Sequence, residues 1–316
     1  MNDRTWACVD LGAFPRPLPR LAGLQGVVIM EDRDPQFFLS FRAIDPQVET
    51  RLNRHGPLRL WSTQQDLKGL VRELHKQRLQ VAIGFWNYGG GWLHRKPPWL
   101  REHTELKTLP LSSHLNPFVR LPREGMDYAE YIARQYERLQ AAFGFDGLML
   151  GDGLCGFGSV WDPDRYANNE RAIPQWTRLY RGIADGVHRT RGVLLAYDHL
   201  GFPYREARKH GVDYRMLADA GLDVLIYQSY PQAWGEYLLI EYQSRFDLNA
   251  NVKNLMTVRD ALAGTDVKVL YTVELGDSVE RWRAAPDRTR AQMAALDPLA
   301  DGRFLVWGND IIARRS

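Results

Sequence analysis

Short apolar segments rich in β-branched residues recur along the chain, and amphipathic segments separate most of them. Near-continuous apolarity within such a segment is typical of a strand that is buried on both faces of a parallel sheet. Alternation of these strands with helices predicts an α/β fold. The eight predicted strands are Trp6–Asp10, Gly26–Glu31, Gln80–Trp86, Asp146–Leu150, Val193–Asp198, Asp223–Gln228, Val267–Val273 and Arg303–Trp307.

Helical periodicity between the strands is clearest in residues 64–78, where Leu67, Leu70, Val71 and Leu74 recur at positions i, i+3, i+4 and i+7. Several of the predicted helices end next to a glycine, as helix C-termini commonly do. The predicted helices are Gln64–Arg78, Tyr128–Phe143, Gln175–Arg189, Tyr214–Ala220, Val252–Ala263 and Ser278–Leu296.

Eight strands of this kind close a barrel whose interior is filled by side chains. We therefore predict an α/β fold with a single (β/α)8 TIM-type barrel over residues 1–316. The link Leu11–Gln25 carries three prolines and has room for little helix, and no helix follows the last strand. The barrel is thus expected to be distorted or to lack its last helix, and the alternative is a doubly wound open sheet.

Charge and hydropathy exclude several classes of partner. The net charge of +3 comes from 41 basic and 38 acidic residues mixed along the chain, whereas a nucleic-acid-binding protein concentrates its basic residues in one stripe. No membrane span and no secretory signal are visible. We expect a cytoplasmic protein with no nucleic-acid or membrane partner, although a secreted protein trimmed of its signal has the same features.

Cofactor motifs are missing from the sequence. Cys8 and Cys155 lack metal-ligand spacing, and the eight histidines include no pair at helical metal-binding spacing. The glycine-rich segments YGGGW and GDGLCGFGS lack the lysine and serine that end a P-loop. We expect no cofactor and no dedicated metal site, and the sequence carries no signal for an oligomeric state.

Acidic, amide and aromatic residues gather where the predicted strands end. In a barrel these C-terminal strand ends and the loops after them build the site. Carboxylates and amides hydrogen-bond to hydroxyl groups and flat rings cover the apolar faces of sugars, so we expect an oligosaccharide or polysaccharide substrate. The predicted substrate-binding residues are Asp32, Trp86, Asn87, Trp92, Tyr197, His199, Gln228, Tyr230, Trp307 and Asn309.

Three carboxylates at strand ends are candidates for catalysis. Glycoside cleavage usually needs two carboxyl groups, one protonated to assist the leaving oxygen and one ionised to attack carbon or activate water. We predict Asp152 as nucleophile or base and either Glu274 or Asp198 as acid. The alternation within VKVLYTVE places Thr272 and Glu274 on the same face of their strand.

One segment carries a family resemblance. GFDGLMLGDG, at Gly144–Gly153, follows a long helix and resembles the fourth-strand segment of TIM-barrel glycoside hydrolases, including the α-amylase clan. The resemblance implies a sugar-cleaving barrel with a catalytic Asp near the end of this strand. In α-amylases that Asp lies five places beyond the first Asp of the segment, which here is Gly151, and Asp152 follows it. The arginine of the α-amylase pattern is Met149 here.

The offset at Asp152 keeps other functions open, because one residue moves a side chain to the opposite face of an unbroken strand. The leading hypothesis is a glycoside hydrolase or transglycosylase. The first alternative is a barrel that binds saccharide without cleaving it, which the displaced Asp152 and the missing arginine favour. The second is a metal-assisted hydrolase or lyase that uses Asp198 and His199.

Overall fold

Eight parallel strands close a barrel in which β1 pairs with both β2 and β8. The computed structural model describes residues 4–11, 14, 17–31, 64–85, 118–151, 170–197, 201–209, 211–232, 246–274, 277–279, 282–283 and 285–306. The strands are β1 Thr5–Asp10, β2 Gly26–Glu31, β3 Gln80–Phe85, β4 Gly147–Leu150, β5 Val193–Tyr197, β6 Val224–Tyr227, β7 Lys268–Val273 and β8 Gly302–Leu305. All eight predicted strands are confirmed to within a residue or two at each end, and the open-sheet alternative is wrong.

Helices cross between the strands and pack on the outside of the barrel. The helices are α1 Gln64–Lys76, α2 Tyr128–Phe143, α3 Ile173–Arg189, α4 Tyr204–Lys209, α5 Tyr214–Asp219, α6 Leu248–Ala261 and α7 Pro286–Leu296. The prediction that the last of them starts at Ser278 is wrong, because Asp277–Val279 pairs with Trp282–Arg283 in a short hairpin. The helix begins only at Pro286, whose fixed φ suits a first helical position.

Two hydrophobic clusters divide the core between the inside of the barrel and the layer under the helices. In β7, Leu270 belongs to the inner cluster, while Val269, Tyr271 and Val273 pack outward. The predicted alternation in this strand is therefore confirmed. The residues of the inner cluster are Trp6, Cys8, Val28, Ala82, Met149, Leu195, Tyr197, Val224, Ile226, Tyr230, Leu270, Phe304 and Val306.

Helix α2 shows how local signals set the element boundaries. Its N-cap is Asp127, whose side chain accepts a hydrogen bond from the Glu130 amide at 2.8 Å. It ends at Gly144, which has a left-handed φ of 83° and donates its amide to the Gln140 carbonyl. Glycine adopts this conformation without the Cβ clash of other residues, and so the helix stops before β4.

Within the described residues, one arrangement occurs three times at the N-terminal ends of the strands. An aspartate directly precedes β4, β6 and β8, and its Oδ2 accepts the amide of the second residue of the neighbouring strand. These strand-start aspartates are Asp146, bonded to Val81 (2.8 Å), Asp223, bonded to Leu194 (2.7 Å), and Asp301, bonded to Val269 (2.8 Å).

Each strand-start aspartate also contacts a base in the last turn of a helix. The bases are His75 of α1, His188 of α3 and Arg259 of α6, at 2.8, 2.8 and 2.5 Å from the same Oδ2. A positive charge at a helix C-terminus, such as that of Arg259, complements the helix dipole. Each aspartate thus joins a helix end to two neighbouring strands.

Among the helices in the described ranges, none has the length and apolar character of a membrane span.

Candidate functional site

Four of the predicted site residues lie within the described ranges, and all four are at the C-terminal ends of neighbouring strands. Tyr197 ends β5, Gln228 and Tyr230 follow β6, and Glu274 follows β7. All four are buried. Because β5, β6 and β7 are adjacent in the barrel, the topology brings these polar groups to one sector of its C-terminal face.

Tyr197 and Tyr230 form a hydrogen-bonded phenol pair inside this end of the barrel. Both belong to the inner cluster, and the ring of Tyr197 meets Phe304 edge-on with 5.9 Å between ring centroids. A tyrosine in such a place contributes an apolar ring to the core and a hydroxyl that needs a polar partner. The pair therefore marks the level at which the apolar interior becomes polar.

Gln228 lies where the loop after β5 approaches the end of β6. A Cβ added at Gly201 would come within 2.0 Å of the Gln228 carbonyl oxygen, and Gly201 has a φ of 56°. Both observations explain why a glycine stands at this turn. The Gly201 carbonyl also accepts a hydrogen bond from the Tyr227 hydroxyl at 2.8 Å, which fixes the loop against β6.

Glu274 is held through its main chain and its carboxylate. Its side chain is fully buried, with 0% of the residue exposed, and Oε2 accepts the Gln232 amide at 3.1 Å. Its own amide donates to Gln292 Oε1 at 3.3 Å, and its carbonyl accepts from Thr289 Oγ1 at 3.0 Å. A buried carboxylate is costly unless it is hydrogen-bonded, and these contacts fix where it lies.

The neighbours of Glu274 form one buried network, which we call the amide cluster. Its members are Ser229, Gln232, Thr272, Glu274, Thr289 and Gln292. Within it, the Ser229 amide donates to Thr272 Oγ1 at 2.6 Å and the Thr272 hydroxyl is 3.0 Å from the Ser229 carbonyl. The cluster connects the end of β6, the end of β7 and helix α7.

Sequence reasoning missed the part of the amide cluster that α7 contributes. Thr289, Gln292 and Leu296 are the buried residues of this helix, and they have the spacing i, i+3 and i+7 of a single helix face. That spacing is a usable signal only when polar residues are counted together with apolar ones. An isolated threonine and glutamine in a charged helix otherwise resemble solvent-facing positions.

Nine predicted site residues lie outside the described residues. They are Asp32, Trp86, Asn87, Trp92, Asp152, Asp198, His199, Trp307 and Asn309.

The register of β4 bears on Asp152, the predicted nucleophile or base, because Met149 points inward while Leu148 and Leu150 pack outward. In a regular continuation the next inward position belongs to Gly151, which has no side chain.

The described part of the chain contains no group of three or more His, Cys, Asp or Glu side chains placed to hold a metal ion. The predicted metal alternative rests on Asp198 and His199, which are outside that part. The groups that are described can bind hydroxyls through phenol and amide, and Glu274 can exchange a proton with an oxygen atom.

The barrel is similar to several solved structures, although the sequence matches no known family. No family model and no curated protein matches the chain. A noncanonic maltogenic α-amylase from Thermotoga neapolitana has a TM-score of 0.52 and 12% identity, over 99% of this chain and 69% of that chain. An isomaltulose synthase from Klebsiella sp. LX3 has a TM-score of 0.55 and 11% identity, over 98% and 65% of the two chains.

A third similar structure is the endo-1,4-β-D-mannanase from Thermotoga petrophila RKU-1, with a TM-score of 0.50 and 9% identity over 95% of this chain and 87% of that chain. At such identities the similarity concerns the fold, and a fold hosts many chemistries. The barrel implied by the fourth-strand segment is therefore confirmed: this chain has the TIM-barrel fold that these glycoside hydrolases also have.

Proposed function

We propose that the protein is a glycoside hydrolase or transglycosylase that acts on an oligosaccharide or polysaccharide at the C-terminal face of its barrel. Glu274 is the general acid, and Asp152 is the nucleophile or base. Asp198 is the alternative acid. The observation that carries the proposal is Glu274, a fully buried carboxyl group directly after a barrel strand, in the same sector of the barrel as Tyr197, Gln228 and Tyr230.

The position of Glu274 supports an acid role for two reasons. Active-site residues of TIM barrels come from the C-terminal ends of strands, and Glu274 follows β7 directly. Its burial separates the carboxyl group from bulk water, so that a proton on it is delivered to a bound leaving oxygen rather than exchanged with solvent. The Gln232 amide at Oε2 stabilises the carboxylate that remains after proton transfer.

The substrate class is supported by the groups in the same sector of the barrel as Glu274. The hydroxyls of Tyr197 and Tyr230 and the amide of Gln228 are the kinds of group that exchange hydrogen bonds with sugar hydroxyls. The aromatic residues that sequence reasoning assigns to the rim, Trp86 and Trp92 among them, would cover the apolar faces of the sugar rings. These roles belong to the proposal together with the role of Glu274.

The experiment compares Glu274→Gln with Asp301→Asn, an acid-to-amide change at the opposite end of the barrel. Both are assayed on 4-nitrophenyl glycosides of the common hexoses in both anomers and on malto- and manno-oligosaccharides. On the oligosaccharides, whose sugar leaving groups must be protonated, we expect Glu274→Gln to lower kcat by about 10²- to 10⁴-fold, the usual contribution of a general acid, and on the acidic 4-nitrophenyl glycosides we expect a smaller loss. Asp301→Asn is expected to keep kcat and to lower only the melting temperature. Wild-type turnover in Glu274→Gln on an oligosaccharide that the wild type cleaves would refute the proposal.

The second candidate function is a barrel that binds saccharide without cleaving it. It is favoured by the register of β4, whose regular continuation beyond Met149 gives the next inward position to Gly151, and by the use of Glu274 Oε2 as an acceptor for a loop amide. Calorimetric binding of an oligosaccharide from the same panel, without product from any of them, would favour this candidate. Release of product by the wild type would exclude it.

A further inference from the structure

Helix α7 presents a more polar buried face than helix α1 does. The buried face of α1 consists of the leucines and valine that its apolar periodicity predicts, namely Leu67, Leu70, Val71 and Leu74. Two of the three buried residues of α7 are Thr289 and Gln292. Burial of a primary amide is unfavourable unless its hydrogen bonds are made, so a polar inner face needs a specific partner.

Gln292 finds its partners at the ends of two barrel strands. Its Nε2 is 2.9 Å from the Ser229 carbonyl, 3.0 Å from Ser229 Oγ and 3.0 Å from the Thr272 carbonyl. Its Oε1 accepts the amide of Glu274 at 3.3 Å. With 0% of the residue exposed, this one side chain fixes the end of β6 relative to the end of β7.

Thr289 acts on the other side of Glu274. Its hydroxyl donates to the Glu274 carbonyl at 3.0 Å and lies 3.4 Å from Gln232 Nε2. Gln232 in turn donates its backbone amide to Glu274 Oε2 and accepts the Ala285 amide at 2.8 Å through Oε1. Glu274 is thereby held at its amide, at its carbonyl and at its carboxylate, all from α7 or from the loop that α7 supports.

We propose that Gln292 is a positioning residue that sets the place of the Glu274 carboxyl group, with Thr289 as its counterpart on the carbonyl side. The inference rests on the proposed function of Glu274 as general acid. Gln292 itself takes no proton and acts only through the backbone of Glu274. A carboxyl group must lie within hydrogen-bond reach of the leaving oxygen, and a displacement of about 1 Å in an active site can cost about 100-fold in rate.

The test uses Gln292→Met, which keeps the volume of the side chain approximately and removes its hydrogen bonds. The matched control is Leu296→Ala, which destabilises the same buried face of α7 but removes no hydrogen-bonding group. On an oligosaccharide that the wild type cleaves, we expect Gln292→Met to lower kcat by about 10- to 100-fold while KM stays within about twofold. Leu296→Ala should lower the melting temperature at least as much and leave kcat within about twofold.

A second readout is independent of turnover. Hydrogen–deuterium exchange of the Glu274 and Gln232 amides reports whether the carboxylate and its backbone are still held. We expect both amides to exchange at least about tenfold faster in Gln292→Met than in Leu296→Ala. If Gln292→Met does not fold, Thr289→Val is compared with Thr289→Ser, which keeps the hydroxyl; only the valine variant should lower kcat and speed exchange at Glu274.

The outcomes separate the two proposals. An inactive Glu274→Gln together with wild-type kcat and wild-type exchange in Gln292→Met would overturn the positioning role and leave the proposed function intact. Full turnover in Glu274→Gln would overturn the proposed function, and faster exchange in Gln292→Met would then support only a structural role for Gln292. If the wild type cleaves no glycoside of the panel, equal exchange in Gln292→Met and Leu296→Ala overturns the positioning role.

Discussion

The two ends of the barrel use the same interaction, a carboxylate that accepts a backbone amide, in different ways. At the N-terminal end it is repeated at Asp146, Asp223 and Asp301, each with a base from a helix end. At the C-terminal end the described residues show it at Glu274, which is fully buried and bonded to Gln232 within the amide cluster. The repeated arrangement joins three strand pairs around the barrel, β3–β4, β5–β6 and β7–β8, whereas the amide cluster serves one sector.

We infer from this difference that the two ends of the barrel have different roles. In TIM barrels the N-terminal face contributes stability and the C-terminal face carries the site. The strand-start aspartates are partly exposed, with 39% of the side chain accessible at Asp146 and Asp223, so their bonds exchange with water at modest cost. The fully buried carboxylate of Glu274 cannot replace its hydrogen bond with one to water. A substitution there therefore changes the geometry at one place in the proposed site. Changes at the N-terminal end should therefore affect folding, and changes in the amide cluster should affect turnover.

The largest expected effect at the N-terminal end comes from Gly302→Ala. A Cβ at Gly302 would lie 2.1 Å from the Arg4 carbonyl oxygen, a backbone atom that cannot move without separating β8 from β1. We expect a loss of roughly 3 kcal/mol or more in the free energy of unfolding, measured by urea denaturation. The control is Gly182→Ala in α3, where the nearest atom is the Ala129 Cβ at 3.0 Å. Equal stability of the two variants would contradict the prediction.

A smaller effect is expected for Asp223→Ala. This change leaves the Leu194 amide without its side-chain acceptor and removes the contact with His188. We expect a loss of about 1 to 2 kcal/mol in the free energy of unfolding, with kcat per folded molecule unchanged. Asp223→Asn retains an acceptor oxygen and should lose less. A fall in kcat at full occupancy of the folded state would break the proposed division between the two ends.

The smallest effect concerns Asp297, where α7 ends. The guanidinium of Arg303 hydrogen-bonds to this carboxylate, which lowers the pKa of Asp297 below its ordinary value of 3.8, and the Tyr271 hydroxyl donates to Oδ1 at 2.7 Å. A lowered folded-state pKa contributes stability above the unfolded pKa, and that stability is lost as the pH falls through the folded pKa.

Asp297→Asn should therefore cost up to about 1 kcal/mol above about pH 5, and the difference from wild type should vanish in stronger acid. Thermal melting between pH 2 and pH 7 measures this dependence. Asp287→Asn is the control, because the Asp287 side chain is 88% exposed and an ion pair at the surface adds little stability. A constant difference between Asp297→Asn and wild type over the whole range would count against the ion pair as the cause.

The fold could be predicted from the sequence because strands buried on both faces leave a continuous apolar signal. Gly26–Glu31 and Tyr128–Phe143 are predicted at their observed bounds. The start of α7 was wrong because Pro286 was placed inside a helix, where proline breaks the hydrogen-bond pattern. The sequence pattern predicted that α6 starts at Val252, but the helix starts at Leu248. Asp247 caps it, because the Asp247 side chain accepts the Ala250 amide at 2.7 Å.

The candidate site was less predictable, for a physical reason. Residues at strand ends, such as Glu274 and Tyr197, can be found because strand periodicity locates them. Gln232 and Gln292 meet Glu274 only through tertiary packing between segments far apart in the chain, 42 residues in the first case and 18 in the second. No local pattern encodes such a contact.

The acid role of Glu274 is the central claim, and its most direct test is the dependence of kcat/KM on the leaving group. Wild type and Glu274→Gln are compared on aryl glycosides of one sugar whose phenols span a wide range of acidity. A general acid assists poor leaving groups most, so the account predicts a shallow dependence for wild type and a steep one for Glu274→Gln, with the two enzymes converging on the most acidic phenols. Parallel lines of equal slope would contradict it.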